Sequence, residues 1–368
     1  MEVFVIMLSG FFLFILEGLV YKKIWDKGLS AEIGLTRKNA FPGDKCRLTI
    51  RIENRKTIPL PWLWIKFNVS SSFKFQKKQQ IIDNYIYYNA LFCINGWERI
   101  DRELEFTPTK RGYYPIKKYS LIGSSILFNG KHIKDMYGNA NLTVYPKLAD
   151  MDDILSVISK TDGTFPTKGF YAPDPFEFAG IKEYTVTDSF KDINFNATAR
   201  MGQLMTNRHN PTVSGEVTII LCFSDLSKKN SYVNERNEYA VSIAATLAQY
   251  YSEKGYSLEL LTNGKDGQFG TSVNLSSATG EIMLSNIFEA LARLDYNEPG
   301  DISEIDSYSY TNGNVIFISL SAQKSVCGFF EKIKSRYASA LWLIPMMEFD
   351  IATTELPNDY VKFIPVKQ

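Results

Sequence analysis

Gly180-Ile181-Lys182-Glu183-Tyr184-Thr185-Val186-Thr187-Asp188-Ser189-Phe190-Lys191-Asp192-Ile193-Asn194-Phe195-Asn196-Ala197-Thr198-Ala199-Arg200-Met201-Gly202-Gln203-Leu204-Met205 is the segment from which the rest of the chain is read. The Asp188 carboxylate can accept from the free N–H groups of a helix beginning at Ser189, and Gly202 suits the residue just past its end. Phe190, Ile193, Ala197 and Met201 recur at helical spacing, while Asp192, Asn196 and Arg200 share another face. The spacing predicts a short helix that packs one side and presents a polar one.

Downstream, apolar runs at 217–223, 257–262, 314–320 and 340–345 read as strands, alternating with helical patterns near 235–254, 281–294 and 322–334. That alternation predicts a doubly wound α/β domain with a mainly parallel sheet over 213–368. Tyr239, Ile243, Leu247 and Tyr250 form one core stripe, with Gly255 placed to stop the helix. Met283, Ile287, Leu291 and Leu294 form another. Asn263-Gly264-Lys265-Asp266-Gly267 reads as a turn, and it lacks the Gly-x-x-x-x-Gly-Lys-Ser/Thr arrangement of a phosphate loop.

Upstream, residues 149–212 form a connector that carries the opening segment, with a short helix expected around Ile154 and a run punctuated by Gly163, Pro166, Gly169, Pro173 and Pro175. Over 26–148 the pattern has period two. Cys46, Leu48, Ile50 and Ile52 alternate with Arg47, Thr49, Arg51 and Glu53, and further strands are expected at 62–69, 81–88, 104–107, 113–122 and 141–145. Short strands separated by turn signals predict an all-β, immunoglobulin-like sandwich.

Residues 1–25 are expected to form a transmembrane anchor. Val3 to Tyr21 is apolar except for Ser9, Gly10, Glu17 and Gly18, enough for a helix to cross a bilayer. A signal peptide is the rival reading. It is disfavoured because Glu2 stands where basic residues are expected and no small-x-small cleavage site follows. Glu17 reads as an interfacial acid. Tyr21 and Trp25, with Lys22, Lys23 and Lys27, read as an aromatic and basic flank, which places the soluble part in the cytoplasm.

Lys+Arg 41 against Asp+Glu 40 gives a formal net charge of +1 over 368 residues, so the charge balance asks for no nucleic acid. Cys46, Cys93, Cys222 and Cys327 show no Cys-x-x-Cys spacing and read as buried structural thiols. His132, in a turn-like Asn129-Gly130-Lys131 context, and His209 come with no nucleophile at recognisable spacing. Asp152-Asp153 and Glu348-Phe349-Asp350 read as solvated charge. No enzyme chemistry, cofactor or small-molecule substrate is expected.

The opening segment also resembles a family signature, Gly-x-Arg/Lys-x-Tyr-x-x-x-Asp-x-x-Arg/Lys-x-Ile followed by an aromatic and Ala-Thr/Ser-Ala-Arg-x-Gly-x-Leu. Gly180, Lys182, Tyr184, Asp188, Lys191, Ile193, Phe195, Ala197, Thr198, Ala199, Arg200, Gly202 and Leu204 match it. Val186-Thr187 stands where Pro-Gly is usual, and Phe195 where Trp is usual. The signature is similar to that of the bacterial and archaeal domain-of-unknown-function 58 family, whose members carry a von Willebrand factor A-like domain.

Further matches are Phe41-Pro42-Gly43-Asp44, Glu53-Asn54-Arg55 with Pro59-Leu60-Pro61-Trp62, Lys110-Arg111-Gly112 and Val144-Tyr145-Pro146; each also reads as turn chemistry. Where many members have an Asp-Pro-Phe-Gly-like turn, this chain has Ser124-Ser125-Ile126-Leu127-Phe128.

Ion-binding von Willebrand A domains use Asp-x-Ser-x-Ser after the first strand. Asp225 and Ser227 fit, but Lys229 replaces the second Ser and no further Asp follows at Ser321-Ala322-Gln323. The implied Mg site is degenerate and expected to be ion-free. The resemblance implies a membrane-bound interaction protein working with a MoxR-type AAA+ ATPase in the assembly or maturation of other proteins. An extracellular adhesin-like binder and a hydrolase are the alternatives.

Overall fold

The computed structural model describes residues 2–76, 80–125, 127, 130–158, 172–185, 193–212, 215–223, 231–305, 313–337, 339–346 and 361–366. The chain divides into two units, Met1–Lys147 and Leu148–Gln368.

The first unit opens with helix α1 (Glu2–Ile24), which is long and apolar enough to cross a bilayer. The strands that follow are β1 (Leu29–Leu35), β2 (Asn39–Ala40), β3 (Cys46–Asn54), β4 (Leu60–Ser70), β5 (Phe73–Phe75), β6 (Ile81–Ile82), β7 (Tyr85–Ile94), β8 (Arg99–Pro108), β9 (Gly112–Ser124) and β10 (Lys131–Val144). They form a four-stranded sheet in the order β1-β3-β8-β5 and a six-stranded sheet in the order β2-β10-β9-β4-β7-β6. Every pairing is antiparallel except β2 with β10.

Alternation explains the core. Leu48, Ile50 and Ile52 on β3, Leu63 and Ile65 on β4, Phe92 on β7 and Leu121 on β9 are buried, while Arg47 and Arg51 face solvent. Strand β10 begins at Lys131, well before the expected 141, because its first half alternates exposed Ile133, Asp135 and Tyr137 with half-buried neighbours and so carries no apolar run.

The turn motifs have local explanations. The Phe41 N–H donates to Asp44 Oδ2 at 2.9 Å, and Gly43 takes a left-handed φ of 97°. Asn54 is fully buried, and its Nδ2 donates to the carbonyls of Ile58 at 2.9 Å and Asn95 at 2.8 Å. That side chain ties the β3–β4 loop to the β7–β8 hairpin.

Two expectations are corrected at the end of α1. Tyr21 and Trp25, expected as an interfacial flank, belong instead to the sandwich core at 3% and 5% exposure. Trp25 lies so close over Gly123 that a Cβ there would come within 2.5 Å of the ring. His132 is a strand residue, with ring centroids 6.2 Å from Tyr21 and 6.0 Å from Trp25. Lys56 Nζ donates to the carbonyls of Trp25 and Lys27, and Lys134 pairs with Asp26 at 3.0 Å. Aromatic area is worth more inside a packed core than at a solvated flank.

The cysteines are not uniformly buried either. Cys46 and Cys222 are buried, Cys327 is half-buried, and Cys93 is exposed on an outward position of β7.

The second unit contains α2 (Met151–Ile158), β11 (Ala172–Glu183), α3 (Phe195–Met201), β12 (Met205–Thr212), β13 (Glu216–Cys222), α4 (Ser231–Glu253), β14 (Ser257–Asp266), β15 (Ser272–Ala278), α5 (Glu281–Arg293), β16 (Leu294–Asp295), β17 (Asn314–Ser319), α6 (Lys324–Lys334), β18 (Ser339–Met346) and β19 (Val361–Pro365). The main sheet runs β15-β14-β13-β17-β18-β19, with β16 beside β14. The five strands from β14 to β19 along that order are mutually parallel, and β15 is antiparallel. This is a doubly wound α/β sheet whose order reverses between β13 and β17.

Helices α4 and α5 pack on one face and α6 on the other. Because both faces are covered, β13 and β17 are buried almost along their whole length, and α4 is buried on more than a stripe, through Ala240, Val241, Ala244 and Ala245 as well as Ile243 and Leu247. The expected turn at Asn263–Gly267 is instead largely strand: β14 runs on to Asp266, whose Oδ1 accepts from the N–H groups of Gln268 and Phe269 at 2.7 and 3.1 Å. Asp266 Oδ2 also pairs with Arg293 Nε at 3.0 Å.

Candidate functional site

The signature segment forms a ribbon and a helix. β11 pairs with β12 in an antiparallel two-stranded sheet, and α3 lies in the connection between them. The helix begins at Phe195, not Ser189. Ile193 forms a β-bridge with Thr206, and the Asn194 N–H donates to the Met205 carbonyl at 2.9 Å, so the chain is still extended at these residues. Asn194 rather than Asp188 caps this helix, its Oδ1 accepting from the Ala197 N–H at 3.0 Å. Gly202 ends it as expected, left-handed at φ 72°, with its N–H on the Thr198 carbonyl at 3.0 Å. Asp188 and Lys191 lie outside the described residues.

Thr198 has a role that the sequence reading missed. Its Oγ1 donates to the Asn194 carbonyl at 2.8 Å and accepts from the Met205 N–H at 3.0 Å, closing the chain on both sides of the helix. Only a hydroxyl can donate and accept in this way, so the Thr/Ser in the motif was the available signal. Gly180 sits at φ 148°, where a Cβ is disfavoured. Tyr184 is half-buried with its N–H on the Leu204 carbonyl at 2.9 Å, while Lys182 and Arg200 are exposed. Glu183 accepts from Gln203 Nε2 at 2.6 Å.

The expected apolar stripe is only partly inward. Ile193 and Ala197 are buried, but Met201 is 68% exposed, and Phe195, which takes the signature's aromatic position, is 74% exposed. Leu204 and Ile181 are exposed as well. A helix of two turns fixed by a bridge and a cap needs little apolar packing. It is left displaying large side chains to water.

The second place to look is the carboxyl edge of the main sheet at the β13/β17 reversal. The Phe223 N–H donates to Asn263 Oδ1 at 2.8 Å, and Asn263 Nδ2 returns bonds to the carbonyls of Phe223 at 2.7 Å and Gly300 at 3.0 Å. Arg236 of α4 reaches the Pro345 carbonyl with Nε at 3.2 Å and the Leu320 carbonyl with Nη2. Asn237 is buried, its Oδ1 having no partner among the described residues. Trp342 Nε1 donates to Ser319 Oγ at 2.8 Å, and Tyr296 donates to Glu238 at 2.8 Å.

Asp225, Ser227 and Lys229 lie outside the described residues. What is described at this edge is a network of the Arg236 guanidinium, the Asn263 amide and backbone carbonyls that ties the strand ends to the loops beside them. Among the described residues no group of three His, Cys, Asp or Glu side chains is placed to hold a metal ion. His209 lies in β12 opposite Phe178, in the other unit from His132. The Cys222 thiol on β13 is pushed up to about 12 by burial, which leaves it protonated and unreactive at neutral pH.

Residues 180–304 match the model of a family described as "Protein of unknown function DUF58". The DUF58 match starts at Gly180 of the ribbon and runs to Glu304, ending before β17. Comparison with curated proteins found no match.

Among solved structures, a non-cellulosomal cohesin from Archaeoglobus fulgidus is 11% identical, covering 34% of this chain and 96% of its own, at a TM-score of 0.23. A CARDB domain from Pyrococcus furiosus is 13% identical, covering 32% and 91%, at 0.21. A type I cohesin from Pseudobacteroides cellulosolvens is 12% identical with the same coverages, also at 0.21. At such scores these likenesses carry no argument, and the fold rests on the strand order and register given above.

Proposed function

We propose that this protein is a membrane-anchored interaction module, held by α1, whose ribbon-helix element docks a partner. The observation that carries the reading is the exposure of Phe195 and Met201 on a helix rigidly held by Asn194 and Thr198, beside exposed Lys182 and Arg200. Large apolar side chains presented on a fixed frame and rimmed by charge are what a protein contact needs. The α/β unit is read as von Willebrand A-like. Support comes from the order β15-β14-β13-β17-β18-β19 with β15 antiparallel, together with the DUF58 match.

The partner proposed is a MoxR-type AAA+ ATPase, on the strength of the signature's resemblance, and the work done is assembly or maturation of other proteins. No catalytic role or resident ion is assigned to this chain, and its soluble units are placed on the cytoplasmic side. Affinity purification from detergent-solubilised native membranes tests the partnership. The full-length chain recovers an AAA+ ATPase, and the Phe195→Ala, Met201→Ala double variant recovers roughly tenfold less, the loss expected when apolar anchors at the centre of an interface are truncated. Repeated recovery without any ATPase overturns the partner assignment.

A further inference from the structure

Helix α1 does not leave the sandwich by a linker. With Tyr21 and Trp25 inside the β core, the end of the helix and the surrounding loops are one packed body. From Val3 to Val20 the helix covers about 27 Å at about 1.5 Å per residue, close to the hydrocarbon thickness of a bilayer. Trp25 follows Tyr21 by one turn, about 6 Å, which is about the depth of a headgroup layer. Whatever lies level with Trp25 therefore lies among headgroups.

Two loops close on Trp25 from this end of the sandwich. The β3–β4 loop brings Lys56 onto the carbonyls of Trp25 and Lys27, and the Lys56 carbonyl accepts from the Trp97 N–H at 3.2 Å. Trp97 is the tip of the β7–β8 hairpin. That tip is rigid: Asn54 holds the Asn95 carbonyl at 2.8 Å, Glu98 Oε2 accepts from the Asn95 N–H at 2.6 Å, and Gly96 is pressed against Thr57. The second loop joins β9 to β10, one residue pair beyond the Gly123–His132 pair on which Trp25 rests, and carries Leu127.

Trp97 is 73% exposed and sits at φ 59°, a left-handed conformation that a bulky aromatic residue adopts at a cost and that Gly or Asn adopts freely. Leu127 is 55% exposed. Exposed Lys22, Lys23 and Lys131 accompany them at the same end. A strained, solvent-facing Trp has no role in the sandwich core, whereas indole is the side chain best suited to the headgroup boundary, and lysines there complement anionic lipids.

We propose that the sandwich is seated on the lipid surface through Trp97 and Leu127, a second membrane contact that rests on the reading of α1 as a spanning helix. The full-length chain is reconstituted into phosphatidylcholine–phosphatidylglycerol vesicles containing phosphatidylcholine brominated on its acyl chains, and tryptophan quenching is recorded. The chain has five tryptophans, Trp25, Trp62, Trp64, Trp97 and Trp342. Trp97→Phe is expected to lower the bromine-dependent quenching roughly twofold, as the residue in the boundary layer is the one the bromines reach. Trp342→Phe, which removes a buried tryptophan of the α/β unit, leaves the quenching unchanged.

Trp97→Gly, which relieves the left-handed strain, lowers the quenching as Trp97→Phe does without lowering the melting temperature in detergent. That combination separates lipid contact from misfolding. A chain that floats with the vesicles but quenches identically in wild type and Trp97→Phe overturns the seating while leaving the anchor intact. A chain that fails to float overturns both.

Discussion

The two units solve the burial of a sheet differently. In the sandwich, each sheet hides one face and shows the other, so Cys93 and Tyr87 on β7 face water while Phe92 and Ile86 on the same strand are buried. In the α/β unit, helices cover both faces and β17 is buried from Asn314 to Ser319. The difference decides where polar residues can be afforded. The sandwich holds buried Asn54 at a loop junction, whereas the α/β sheet holds Glu259 within β14, accepting from Thr218 Oγ1 on β13 at 2.7 Å. A buried polar group in the first case fixes loops; in the second it fixes strand neighbours.

The largest expected effect tests whether α1 is part of the sandwich or merely attached to it. Trp25→Ala removes a core aromatic in contact with Gly123 and His132 and is expected to cost about 3–5 kcal/mol. Denaturant unfolding in detergent, followed by hydrogen exchange on β9 and β10, should show the loss; unchanged exchange in those strands would mean the helix is a passive tether. Next comes Asp266→Ala in the α/β unit. It leaves the Arg293 guanidinium with only the longer Glu289 pair at 3.9 Å and frees two turn N–H groups, for a loss of about 2 kcal/mol given that Arg293 keeps some solvent. Melting curves of Asp266→Asn, which keeps the turn acceptor, should fall between wild type and Asp266→Ala.

The smallest effect leaves stability untouched and reads the open against the covered sheet directly. A maleimide should modify Cys93 in the native protein and reach Cys222 only on unfolding, as mapped by peptide mass. With a membrane-impermeant maleimide, labelling of Cys93 only after permeabilisation fits the cytoplasmic placement, and labelling in intact cells reverses it.

Legibility in the sequence followed the same divide. β3 could be read because Cys46, Leu48, Ile50 and Ile52 alternate, and β13 and β17 because continuous apolar runs mark doubly covered strands. β15 was silent: Ser272-Val273-Asn274-Leu275-Ser276-Ser277-Ala278 is a mostly exposed edge whose place comes from pairing with β14 rather than from its own pattern. β11 and β12, interrupted by Pro173, Pro175 and Pro211, read as connector in sequence because proline breaks the alternation that marks a strand.

Within the signature, the Gly202 stop is a local backbone demand and was legible. The choice between Asp188 and Asn194 as cap was not, because both side chains qualify and the bridge from Ile193 to Thr206 decides it. The burial of Tyr21 and Trp25 was equally hidden, since amphipathic aromatics beside lysines serve an interface or a core with the same composition. The proposed strand-end pair Asp225 and Ser227 lies outside the described residues, so the sequence remains its only source.

The packing of Trp25 on Gly123 and of His132 against both aromatics also has a mechanical meaning. A helix joined through a flexible hinge can lean without moving what it carries. Here no slack separates Ile24 from β1 beyond one turn clamped by Lys56, so the helix and the sandwich act as one lever. On the proposed reading of α1 as a spanning helix, a change in bilayer thickness that tilts it swings the sandwich by the same angle, and a load applied to the sandwich is delivered as torque to the lipid.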